Sequence, residues 1–181
     1  DRLILAPGAS PILPAGIGGI HRSHVHVIRN VEDIERLRAA IDRRDCTDIA
    51  VIGGGFIGVE TAENLSPAGK HVTLVEGSDQ IMTPFDHDIV QILHKELDDH
   101  GVDVLLDSML TAVEEKHIVV TQRKEQHRLK ADAVVMAIGV APQTKLAKEA
   151  GLKIGETGGI WVNHNYQTSD PDIYAVGDAI E

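Results

Sequence analysis

The sequence predicts an α/β fold: a parallel sheet flanked by helices, with a small antiparallel β-meander added in a three-layer ββα arrangement. Three observations predict it. Short apolar runs at 49–52, 71–76, 102–106 and 133–139 alternate with helix-length segments, the order that builds parallel strands joined by crossovers. The first of these runs leads into glycines spaced G-x-G-x-x-G, with a helix-forming segment behind them. Between residues 110 and 130 the period changes to short, alternating, polar-flanked runs.

Taken in order, Leu3-Ile4-Leu5-Ala6 reads as a short buried strand, followed by Pro7-Gly8-Ala9-Ser10 and a Pro- and Gly-rich connecting loop over 11–19. His24 and His26 would share one strand face, with His21 nearby. No fourth ligand stands beside them, so they read as solvent-facing histidines and no metal is expected. Asn30 fits a helix N-cap; Glu32, Asp33 and Glu35 favour the positive helix end, and Ile34, Leu37 and Ile41 have helical spacing. The helix after Gly55 should bury Ile57, Val59, Ala62 and Leu65, and Pro67 should stop it by 64–66. Gly69-Lys70 turns into the strand at 71–76. The next helix, 85–100, carries Ile89, Ile92, Leu93, Glu96 and Leu97 on its face, has Asp86 and Asp88 near its start, and ends at Gly101.

A third strand follows at 102–106. The meander is expected at 110–113, 117–121 and 128–130, with a charged turn over 122–126. The run 133–139 is apolar throughout, as a central parallel strand covered on both faces should be. Gly139-Val140-Ala141-Pro142 stands at its carboxyl end, where open α/β sheets bind ligands. A short helix over 144–150 and a turn-rich segment over 155–169, with Trp161-Val162 as a strand, lead to a last strand at 173–176 that ends in Gly177-Asp178.

The glycine turn, Gly53-Gly54-Gly55-Phe56-Ile57-Gly58-Val59-Glu60, carries the chemistry. Gly53 allows the sharp turn, Gly55 has no Cβ to keep a pyrophosphate from the main chain, and Gly58 lets helix and strand pack closely. The phosphates would then sit on amides at the positive end of the helix. Glu76 ends the next strand about 20 residues on, where a Rossmann unit delivers an acid to the adenosine ribose. That acid would repel a 2′-phosphate, and Gly77-Ser78-Asp79-Gln80 offers no arginine to accept one, so NAD(H) is expected over NADP(H).

Composition narrows the classes further. A formal net charge of −11 argues against a nucleic-acid or anionic-membrane partner. No apolar run approaches the length of a membrane span, and there is no signal-peptide pattern. The single cysteine, Cys46, excludes an intramolecular disulfide and points to a reducing, cytoplasmic setting. Arg43 and Arg44 beside it could lower its pKa, although the plainer reading is an ordinary thiol at a strand entrance. The beginning at Asp1 and the stop at Glu181 both read as cuts from something larger.

Together these pieces resemble the pyridine nucleotide–disulfide oxidoreductases, and the resemblance spans essentially the whole chain. Leu3–Ala9 is similar to the family's apolar strand plus "ATG-A" motif, with proline where threonine is usual; Gly53–Glu60 is similar to its nicotinamide-dinucleotide fingerprint, with phenylalanine where tyrosine is common. Ala137–Pro142 resembles its "G-x-x-P" motif, and Thr168–Asp178 its FAD-binding "T-S…I-Y-A-x-G-D" motif. Pro7-Gly8 and Gly159–Asn163 lean toward the coenzyme A–disulfide reductase and NADH oxidase/peroxidase branch.

The resemblance implies an FAD-dependent NAD(P)H oxidoreductase, with hydride passing to flavin and electrons on to a disulfide, coenzyme A disulfide among them, or to oxygen. Residues 31–152 would be the NAD(P)-binding domain, 1–30 a strip of the FAD domain with its linker, and 153–181 the return strip. Gly53, Gly55, Phe56, Ile57 and Gly58 would line the pyrophosphate; Phe56 would also stand beside the nicotinamide and gate its pocket. Glu60 would lie on the nicotinamide side or serve as a helix-surface glutamate, Glu76 would hold the adenosine ribose, and Gly139 would admit the nicotinamide ribose. Gly8 would belong to the FAD-domain junction, and Gly177 and Asp178 would contact the ribityl chain of FAD. The redox cysteine, the first fingerprint and a homodimer-forming domain are expected outside this chain, so no catalytic residue is expected within it. The alternatives are a ferredoxin, rubredoxin or nitrite reductase-type flavoprotein, and a nucleotide-binding module without catalysis.

Overall fold

Along the chain, in a computed structural model that describes residues 1–181, the elements follow as β1 (Leu3–Leu5), β2 (Ala9–Pro11), β3 (Val25–Val27), α1 (Val31–Ile41), β4 (Asp48–Ile52), α2 (Phe56–Leu65), β5 (His71–Val75), α3 (His87–Asp99), β6 (Val102–Leu105), β7 (Ser108–Val113), β8 (His117–Gln122), β9 (Glu125–Lys130), β10 (Ala133–Met136), β11 (Val140–Pro142), α4 (Lys145–Glu149) and β12 (Ile173–Ala175). They group into two compact units: Ile12–Gly139, and Asp1–Pro11 with Val140–Glu181.

In Ile12–Gly139 a five-stranded parallel sheet runs β3-β10-β4-β5-β6. Side chains on a strand alternate between faces, and the sequence uses both. Ile49, Val51, Val72, Leu74, Ala133 and Val135 point to one face, packing with Leu37 of α1, Val59, Ala62 and Leu65 of α2, and Val90 and Leu97 of α3. Ala50, Ile52, Val75, Val134 and Met136 point to the other and meet Leu110, Val113, Ile118 and Val120 of the antiparallel β7-β8-β9 meander. These are the three layers that the sequence predicts, with 133–136 central as expected. Asn30 caps α1 in a capping box: its Oδ1 accepts the Asp33 amide at 2.9 Å, and the Asp33 carboxylate accepts the Asn30 amide at 3.3 Å.

The other unit holds two small sheets, parallel β1-β12 and antiparallel β2-β11. Its core gathers Leu5, Ala147, Leu152, Ile160, Ala175 and Ala179.

Several expectations are corrected. Ile57 is exposed, because α2 turns Gly58, Val59, Ala62 and Leu65 onto the sheet and leaves Phe56 and Ile57 facing outward. On α3, Ile89 and Ile92 are also exposed; the helix carries two apolar stripes one residue apart, and Val90, Leu93 and Leu97 face the core. Only Leu5 of the first strand is buried, since β1 belongs to a sheet two strands wide. Ala9–Pro11, whose last residue opens the expected loop, pairs with β11, whereas Trp161-Val162 forms no strand; only the neighbouring Ile160 makes isolated bridges, to Ile154 and Ile180. The meander turn is tighter than expected: β9 begins at Glu125, and Arg123 and Lys124 take left-handed φ of 49° and 72°. His24 and His26 are half-buried rather than solvent-facing, with each Nε2 lacking a hydrogen-bond partner. Burial, then the neighbouring His24, lowers the His26 pKa.

Candidate functional site

Strand β4 ends at Ile52, and the chain turns at once. Gly53 takes φ +108°, and its amide donates to the Val75 carbonyl at 2.8 Å, so the turn is tied to the end of β5. A Cβ on Gly53 would lie 2.4 Å from the Ala137 carbonyl oxygen, and one on Gly58 would lie 1.8 Å from the Gly53 oxygen. Both positions are therefore closed to any side chain. Gly55 is the opposite case. A Cβ there would meet nothing within 4 Å, although the residue is the N-cap of α2.

No side chain caps α2, and its first turn carries no acid. The helix therefore presents the positive end of its dipole without an internal counter-charge. Glu76, at the end of β5, supplies a carboxylate next to this turn. Its Oε2 accepts the Gly54 amide at 2.6 Å and its Oε1 accepts the Ser78 amide at 2.8 Å. A carboxylate has about four lone-pair directions, so two remain for an outside donor.

Sequence reading passed over Gly54, the middle residue of the triplet. Its amide holds Glu76, its carbonyl accepts the Met82 amide at 2.8 Å, and a Cβ on it would come within 2.7 Å of Ile81 Cγ2. The signal was present as a third consecutive glycine where the spacing rule asks for only two. Phe56 and Glu60 are exposed on α2. Gly139 takes φ +111° at the end of the segment that follows β10, and its carbonyl accepts the Ile12 amide at 3.0 Å. Gly53, Gly55, Phe56, Ile57, Gly58, Glu60, Glu76 and Gly139 all belong to Ile12–Gly139, whereas Gly8, Gly177 and Asp178 belong to the other unit. There, Gly8 (φ +69°) accepts the Gln143 amide at 2.9 Å through its carbonyl, and Gly177 (φ +79°) opens a single 3-10 turn that leaves Asp178 exposed.

Cys46 lies apart from the turn, buried before β4. Burial pushes its thiol pKa up, overriding the opposing pull of the Lys70 ammonium, so Arg43 and Arg44 do not make it a reactive thiolate. No helix is long and apolar enough to cross a membrane.

A tight glycine turn between strand and uncapped helix, with an acid on the adjoining strand, defines the class of Rossmann-type nucleotide-binding proteins. The chain belongs to the pyridine nucleotide-disulphide oxidoreductase family, which it matches over residues 1–181. An NADH oxidase of Methanocaldococcus jannaschii is 39% identical over 182 residues, covering 100% of this chain and 40% of that protein. The NAD(P)H sulfur oxidoreductase (CoA-dependent) of Pyrococcus abyssi is 35% identical over 182 residues, again covering 100% of this chain and 40% of its own. The crystal structure of reduced CoADR-RHD from Bacillus anthracis is similar with a TM-score of 0.93 at 44% identity, over 99% of this chain and 32% of that one. This chain thus spans about 40% of the length of these curated relatives.

Proposed function

We propose that this chain is the NAD(P)H-binding part of an FAD-dependent oxidoreductase, with residues 31–152 as the nicotinamide-dinucleotide domain and 1–30 and 153–181 as strips of the flavin domain. The observation that carries the reading is the contrast within the turn: Gly53 and Gly58 are filled positions, while Gly55 opens on space at the α2 N-terminus. A diphosphate fits that opening. Gly53, Gly55, Phe56, Ile57 and Gly58 would line it, the last four through backbone amides at the helix end and Gly53, whose amide is held by the Val75 carbonyl, through the turn it makes. Glu76, fixed by the Gly54 and Ser78 amides, would accept the adenosine ribose hydroxyls on its remaining lone pairs and repel a 2′-phosphate. Gly139 and Glu60 would lie toward the nicotinamide ribose and ring, and Gly8, Gly177 and Asp178 toward FAD.

When bound, the nicotinamide supplies a hydride and the flavin accepts it. The residues of this chain orient the dinucleotide and select it; they transfer no proton. The whole protein would pass electrons to a disulfide, coenzyme A disulfide included, or to oxygen, as a cytoplasmic homodimer. Isothermal titration of the full-length protein with NADH and NADPH tests the cofactor reading, with tighter NADH binding expected; tighter NADPH binding overturns the role given to Glu76. An absorbance spectrum of the same preparation should carry bound flavin, and its lack would leave only a nucleotide-binding module.

A further inference from the structure

The glycine turn and Glu76 stand where the parallel strands finish. At the opposite end, where β4, β5 and β6 start, a cavity of about 420 Å³ opens between these strands, the close of β9 and the last turn of α3. Strand register builds it. Asp48 lies beside His71, and Thr73 beside Asp103. Val72 and Leu74 of β5 face the helices and Val75 faces the meander, so His71 and Thr73, in step with Val75, share the meander face.

Three carboxylates line the cavity, Asp48, Asp98 and Asp103, against one ammonium, Lys130. Asp48 is already satisfied: Lys130 Nζ lies 2.7 Å from its Oδ2, the Thr47 hydroxyl donates to the same oxygen at 2.6 Å, and His71 Nδ1 lies 3.5 Å from Oδ1. Asp103 has only His71 Nε2, at 3.2 Å, and the Asp98 carboxylate has no partner. Asp98 also stands at the negative end of the α3 dipole, and the last turn of that helix carries no basic residue. The surplus charge is therefore negative and rests on Asp98 and Asp103.

Thr73 makes a site of this cluster. It is 9% exposed, it lines the cavity, and its hydroxyl has no hydrogen-bond partner in the protein. Buried polar side chains are nearly always paired, and valine would fill the same shape in a strand that already carries Val72, Leu74 and Val75. A hydroxyl in that place answers a donor from outside. No three or more histidine, cysteine, aspartate or glutamate side chains are grouped as a metal ion requires, whereas an ammonium sends its three N–H bonds to separate acceptors.

We propose that this cavity binds a small alkyl diamine. One ammonium donates to the Thr73 hydroxyl and the Asp103 carboxylate, the stem lies along Val104, Leu105 and Leu129, and the other ammonium reaches Asp98. The site is independent of the dinucleotide reading, since it shares no residue with the glycine turn.

The test titrates the full-length protein with 1,4-diaminobutane by calorimetry at about 150 mM salt, where long-range attraction is screened. Tetramethylammonium, which carries the charge but no N–H, is the comparison. One saturable site per chain is expected for the diamine and none for tetramethylammonium. Asp103→Asn, Asp98→Asn and Thr73→Val should each weaken the diamine about fivefold. The urea midpoint of Thr73→Val should not fall, because the methyl replaces a hydroxyl that had no partner. The proposal is overturned by a diamine that gives no saturable heat, by equal binding of tetramethylammonium, which would mean that an acidic protein merely gathers cations, or by an unchanged diamine affinity in Asp103→Asn or Thr73→Val. A lowered midpoint in Thr73→Val also overturns it, since the hydroxyl would then serve the fold.

Discussion

Gly55 and Gly58 serve different purposes in one turn, and substitution separates them. Gly55→Ala meets no atom, and the backbone there (φ −79°) suits any residue, so its stability should stay within about 0.5 kcal/mol of the parent. Its added methyl would nonetheless stand in the path of the diphosphate, and NADH affinity should fall by about tenfold or more. Gly58→Ala drives a Cβ into the Gly53 carbonyl and should cost about 1–3 kcal/mol of folding stability, read by urea unfolding. A Gly55→Ala protein that unfolds early, or still binds NADH normally, would sink this division of labour. Glu76→Gln keeps the shape but loses the charge and one of two backbone acceptors. Its NADH affinity should drop about tenfold, and NADPH should lose less or gain, narrowing the ratio measured by parallel titrations. The glycine spacing and Glu76 were legible because each residue type answers a backbone or charge demand that sequence spacing states. The Gly54–Glu76 clip and the edge-to-face contact of Phe56 with Phe85 were not, since both depend on how the chain after β5 lies against the turn.

At the level of elements, apolar runs gave away the strands because parallel strands are covered on both faces, and Val134 and Val135 are equally buried on opposite sides. Helix faces were harder. Ile89, Ile92 and Val90, Leu93, Leu97 offer α3 two stripes of similar character, and only packing against β6 and its neighbours decides between them. The sheet is also fastened at the end away from the turn by one carboxylate. Asp132, just before β10, has a side chain only 4% exposed and accepts the amides of Thr47 at 2.9 Å and Asp48 at 3.1 Å, together with Lys116 Nζ at 3.0 Å. Burial alone would raise its pKa; the two amides and the ammonium outweigh this and hold it well below the usual carboxylate range. A folded-state pKa below the unfolded one means stability that is complete above about pH 4 and is lost as pH falls through the folded value. Asp132→Asn should therefore cost about 2 kcal/mol at pH 7 and flatten the stability loss between about pH 4 and pH 2, measured by unfolding midpoints across that range.

For the molecule as a whole, the two compact units have separate cores and separate sets of ligand candidates, and this division makes a binding prediction. The residues assigned to the nicotinamide dinucleotide lie in Ile12–Gly139, in the turn after β4, on α2, and just after β5 and β10, while Gly8, Gly177 and Asp178 lie in the other unit. A ligand that binds only the folded form stabilises what it touches, by about 2.7 kcal/mol at a hundredfold excess over Kd. Hydrogen exchange of the full-length protein with NADH at that excess should therefore slow at amides of 53–58, 71–78 and 80–85. Residues 80–85 respond because the Met82 amide donates to the Gly54 carbonyl, so ordering of the turn restrains the segment that follows β5. Amides of 160–180 should keep their rates, because none of the assigned nicotinamide contacts lies there. Protection spread evenly over both units, or confined to 160–180, would mean that the dinucleotide binds elsewhere and that the glycine turn serves only to pack α2 against β4.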